Sequence, residues 1–150
     1  MGWKKVCAAP GYVLVHPDHE EALVSGIAQA WKSWFPNGAQ NSPDIARLAN
    51  IRAFHRIKKL LDDTKGEILI GGHTDEAEHF VEPTIVKLTS ATDPFLREES
   101  FGPVMGLLTV SNLDEAIDIV RTICETPLAV YIFSSDKAEQ KKRKFARVKH

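Results

Sequence analysis

Cysteine is scarce: two residues, Cys7 and Cys124, in a chain of 150. They form no C-x-x-C pair and have no histidines at ligand spacing. That excludes a zinc finger or ribbon and a disulfide-framed scaffold, and it fits a reducing compartment. The six histidines include no i, i+4 pair on one helix face, so no metal centre is expected. No run of 18 apolar residues occurs, and no apolar leader segment opens the chain. No membrane span is therefore expected, and the expected location is cytoplasmic. A phosphate-binding glycine loop is missing too. Gly71-Gly72 lacks the G-x-G-x-x-G spacing and a following helix, and reads as a turn.

Excess charge of either sign is also absent overall, with a net charge of −1. The balance is uneven, however. Lys141 to His150 hold six of the 19 basic residues and no acid, which leaves 13 basic against 20 acidic side chains before them. An acidic body argues against a nucleic-acid partner. The basic tail reads as a solvated helix end.

What remains has the composition of one ordinary globular domain, with 43% hydrophobic and 26% charged residues. A chain of this length buries roughly 70% of its unfolded surface. Strand and helix patterns alternate. Tyr12-Val-Leu-Val15 reads as a buried strand. Asp18 and Glu21 offer a capping box for a helix carrying Leu23, Ile27, Ala30, Trp31 and Trp34 on one stripe. A loop over 36–43 leads to a second helix expected from about Asp44 to Asp62, with Leu48, Ile51, Phe54, Ile57 and Leu61 inward. Its Arg52, Arg56, Lys58 and Lys59 lie late, where a helix C-terminus favours cations. Strands are expected at 67–70, 80–88, 104–110 and 128–133. Pro83 points to a sheet edge for the second of these. Ser111 is expected to cap a helix over 112–125, and a helix-like run starts at Asp136. Such alternation implies an α/β fold with a mainly parallel sheet and helices on both faces.

Three segments carry chemistry or its frame. The first is Cys7-Ala-Ala-Pro-Gly-Tyr12, followed by Val-Leu-Val. A thiolate is a strong nucleophile once its pKa is lowered or a base is near, although composition alone makes Cys7 a small buried hydrophobe. The second is Glu98-Glu99-Ser100-Phe101-Gly102-Pro103, preceded by Asp93-Pro-Phe-Leu-Arg97. Read alone, it is loop punctuation. The third is Thr126-Pro-Leu-Ala-Val-Tyr-Ile-Phe-Ser134. Cys124 reads as a core thiol.

These segments, in this order and spacing, resemble the catalytic domain of the NAD(P)-dependent aldehyde dehydrogenases. The proline and tyrosine after Cys7 point to the class 3, fatty-aldehyde-like branch. The resemblance covers residues 7–142 as a partial catalytic domain, with a divergent segment at 1–6 and a divergent basic tail at 143–150. It implies that Cys7 is the nucleophile attacking an aldehyde. Glu99 would accept hydrogen bonds from the nicotinamide ribose, and Phe101 would pack near the nicotinamide of NAD or NADP. Two departures stand out: Lys4-Lys5-Val6 where relatives have small residues and Gly-Gln, and Ser100 where an aliphatic residue is usual. The family's nucleotide-binding domain, its general base and the asparagine of its oxyanion hole have no counterpart here. The chain is thus expected to be a truncated member with little dehydrogenase activity of its own. Alternatives are a non-catalytic module that forms a homo-oligomer or pairs with a full-length relative, and residual esterase chemistry at Cys7.

Overall fold

The computed structural model describes residues 9–97, 99–123 and 129–138. Its centre is a four-stranded sheet of β1 (Tyr12–Val15), β2 (Glu67–Ile70), β5 (Thr84–Leu88) and β6 (Val104–Thr109), in the order β1-β6-β5-β2. The β1–β6 and β6–β5 pairs are parallel and β2 joins β5 antiparallel. A two-stranded hairpin, β3 (Thr74–Asp75) with β4 (Phe80–Val81), stands beside it. The helices are α1 (Pro17–Trp34), α2 (Ile51–Asp63) and α3 (Leu113–Ile123).

Strand alternation divides the apolar side chains between two faces. Val86, Leu88, Val104 and Leu108 face Phe54 and Ile57 of α2 and the partly buried Ile119 and Ile123 of α3. Val15, Ile85 and Leu107 face Leu23, Val24 and Ile27 of α1. Helices therefore cover both faces, as an α/β alternation requires. The α2 side is the deeper: Ile57 is fully buried, whereas α1 has no fully buried residue and Trp34 is exposed.

Several local expectations are corrected. Helix α2 begins at Ile51, not Asp44. The Asn50 side chain accepts from the Ala53 N–H at 2.9 Å and starts the helix there. Leu48 is buried, but its N–H donates to the carbonyl of His79 at 3.0 Å rather than to a helical turn. The cap of α1 is His16, whose Nδ1 accepts from the Asp18 N–H. Asn112, not Ser111, caps α3 by accepting from the Glu115 N–H at 2.9 Å. Pro83 does not mark an edge. It lies buried between β4 and β5, and β5 sits inside the sheet. A proline just before the first paired residue removes no ladder bond. Residues 129–133 are in no ladder, and Tyr131 and Phe133 are exposed, because no strand lies beside them among the described residues. Leu128, Cys124 and the tail from Glu139 lie outside the described residues.

Candidate functional site

The sheet register brings two distant segments to one end of the molecule. Tyr12 lies opposite Gly106, and the Gly106 N–H donates to the Gly11 carbonyl at 3.0 Å. Because β1 and β6 are parallel, the segment entering β1 and the turn entering β6 leave the sheet on the same side. That turn is Glu99–Pro103. The Thr84 N–H donates to the Pro103 carbonyl at 2.8 Å and ties the turn to the interior strand β5. Cys7 lies outside the described residues, just ahead of this β1 entry. The site is thus at the amino ends of parallel strands, opposite to where open α/β sheets usually bind ligands.

The turn is fixed from both sides. Upstream, the buried Asp93 carboxylate accepts from Thr64 Oγ1 and the Lys65 N–H, both at 3.1 Å, and from the Phe95 N–H at 2.8 Å. Those bonds anchor the segment before the turn to the end of α2. Within the turn, Ser100 is buried, and its hydroxyl donates to the Val104 carbonyl at 3.4 Å. A small hydroxyl in place of an aliphatic side chain is therefore used as an internal brace. Gly102 packs on α2: a Cβ there would lie 2.7 Å from Ile57 Cδ1 and 2.9 Å from its Cγ1.

Arg56 completes the clamp. Its Nη1 donates to the Glu99 carbonyl at 3.1 Å, and its Nη2 to the Ser100 carbonyl. Its Cζ is 6.0 Å from the Phe101 ring centroid. The sequence offered no sign of this role, since Arg56 reads as one of four cations late in a helix. Only the tertiary fold, 43 residues across the chain, brings it to Glu99.

Glu99 and Phe101 both face outward. Glu99 is exposed, and its carboxylate makes no hydrogen bond or ion pair among the described residues. Phe101 is 51% exposed and adopts φ +44°, a left-handed backbone uncommon for any residue with a side chain. An exposed carboxylate and a half-bare ring thus stand on one clamped turn.

Elsewhere, polar side chains pair with one another. Asp75 accepts from Gln40 Nε2 at 3.0 Å and from the Glu78 N–H at 3.2 Å, and the Glu78 bond chiefly holds its carboxyl below the usual carboxylate range. Arg47 bonds Glu78 and lies over Phe80. No cluster of three metal-ligating side chains occurs among the described residues, and no described helix is long and apolar enough to cross a membrane.

Residues 3–147 match the aldehyde dehydrogenase family. The chain is 46% identical over 135 residues to the beta-apo-4'-carotenal oxygenase of Neurospora crassa, covering 90% of this chain and 25% of that protein. It is 39% identical over 130 residues to aldehyde dehydrogenase family 3 member B1 of Rattus norvegicus, covering 87% of this chain and 27% of that protein. Its fold superposes with a TM-score of 0.86 on the substrate-bound Staphylococcus aureus AldH, at 31% identity, covering 97% of this chain and 31% of the other. The chain thus spans about a quarter of the length of the curated relatives it matches. With that fold, that register and those matches, the chain belongs to the aldehyde dehydrogenase family, and its relatives include members of family 3.

Proposed function

We propose that this chain carries the nucleophile and the nicotinamide-facing turn of an NAD(P)-dependent aldehyde dehydrogenase acting on an extended apolar aldehyde. The observation that carries the reading is the parallel β1–β6 register. It sends the entry to β1, which follows Cys7 in the sequence, and the Glu99–Phe101 turn out of the same end of the sheet. The apolar substrate class is supported by the Neurospora relative, which is named for a carotenal.

In this reading the Cys7 thiolate adds to the aldehyde carbon. A C–S bond forms and the carbonyl oxygen becomes an oxyanion, which backbone N–H groups stabilise. The exposed Glu99 carboxylate fits two ribose hydroxyls, and the outward Phe101 ring fits the flank of a nicotinamide. Re-forming the carbonyl as a thioester expels the adduct's C–H as hydride, for which bound NAD(P)+ would be the acceptor. Water then cleaves the acyl–sulfur bond, releasing the acid and restoring the thiol. That last step needs a general base, and none is assigned among the described residues. The 150 residues alone therefore turn over slowly or not at all, because groups that act as a unit lose most of their effect when separated.

Two measurements test the reading. A short bis-maleimide should bridge Cys7 to a cysteine placed at position 99 (Glu99→Cys, in a Cys124→Ser background). Failure to form the intramolecular bridge in the folded protein would remove the shared cleft. NAD(P)H formation at 340 nm with octanal should not exceed that of Cys7→Ala. Turnover well above this control would show the chain to be a competent enzyme.

A further inference from the structure

We propose that Arg56 is a positioning residue for this turn: its guanidinium offsets the left-handed backbone at Phe101 and so keeps Glu99 and Phe101 in ligand-facing geometry. The purpose of that geometry rests on the cofactor reading above, but the geometry itself does not.

Phe101 at φ +44° is in a region that a bulky side chain enters only when its surroundings over-determine it. Three contacts do so here. Arg56 spans the two consecutive carbonyls before Phe101, one from each terminal nitrogen. Such a fork suits a planar guanidinium and not a single ammonium. One residue further on α2, Ile57 receives Gly102, so a single helical turn contacts both flanks of Phe101. Inside the turn, the Ser100 hydroxyl receives the Gly102 N–H at 3.4 Å. The ring itself adds little: 6.0 Å is the outer limit of a useful cation–π contact. The hydrogen bonds to the carbonyls are therefore the larger share of Arg56's effect.

The test uses NMR of the whole chain. A left-handed residue has a strong intraresidue amide-to-Hα Overhauser signal, and Phe101 should show it. In Arg56→Lys, which keeps the charge and the helix, that signal should weaken, and amide shifts of residues 99–102 should move while those of the sheet stay. Arg56→Gln should do the same. An undisturbed Phe101 signal in both variants would overturn the proposal.

A second measurement covers the case in which Arg56 variants are too unstable for spectra. Glycine enters the left-handed region freely, so Phe101→Gly should remove most of what Arg56 offsets. The loss of denaturation midpoint caused by Arg56→Lys should then be much smaller in the Phe101→Gly background. An equal loss in both backgrounds would sink the idea. Nicotinamide mononucleotide, which needs no adenine site, distinguishes the two readings. It should shift the amides of residues 99–101 in the parent chain and shift them less in Glu99→Gln. If it moves none of them in the parent, or moves them equally in Glu99→Gln, the cofactor reading fails, whatever Arg56 does to the turn.

Discussion

At the scale of single residues, Gly102 shows how a site can depend on the absence of a side chain. Any Cβ there comes within 3.0 Å of both Cδ1 and Cγ1 of the fully buried Ile57, so something must shift. Gly102→Ala should therefore overpack the junction between the turn and α2, lowering stability by about 1–3 kcal/mol. Urea unfolding of the two proteins measures this directly. A loss near zero would mean that Ile57 repacks freely. The neighbouring Ser100 was legible only as a departure from the family's usual residue. Its hydroxyl's bond to Val104 could not be read from sequence, because it depends on the turn folding back on its own strand. Arg56 was less legible still. A helix pattern says which face is apolar, not which distant carbonyls a charged side chain will reach.

At the scale of elements, the hairpin of β3 and β4 should respond to acid. Asp75 is hydrogen-bonded as a carboxylate, and its pKa is lowered from the usual 3.8, first by the bond from the Glu78 backbone. A lowered folded-state pKa gives stability that is fully present above the usual value and lost as pH falls through the lowered one. Asp75→Asn should thus be less stable than the parent at pH 7, and the gap should close below about pH 4. Parallel thermal melts at several pH values check this; a gap independent of pH would show that the carboxylate charge is not involved. Strand positions 12–15 and 67–70 were legible because short apolar runs between turn residues have few alternatives. The start of α2 was not. Residues 44–50 have an acceptable helical pattern, but Asn50 caps at its own position and Leu48 bonds the hairpin instead. Pro83 misled for a related reason: the rule concerns paired positions, and pairing begins one residue later.

At the scale of the whole molecule, the contrast lies between the two sides of the sheet and the segment after α3. The α2 side holds most of the buried residues, while Val130, Tyr131 and Phe133 present apolar surface, with Phe133 92% exposed. The sequence correctly marked this stretch as rich in β-branched and aromatic residues. It could not say what would lie beside it, since a strand is a property of a pair. Apolar surface of this kind favours association. Phe133→Ser should shift the chain toward the monomer in light scattering at rising concentration, with melting temperature little changed. Unaltered association would place the sticky surface elsewhere, with the exposed Trp34 of α1 the next residue to change.

The strand order also has a consequence during biosynthesis. Among the described residues β1 is an outer strand paired with β6, which is translated about ninety residues later, several seconds at ordinary ribosome speeds. Through that interval Tyr12 to Val15 lack their β6 partner, and the nascent chain leaves that strand edge open to chaperones and to other emerging polypeptides.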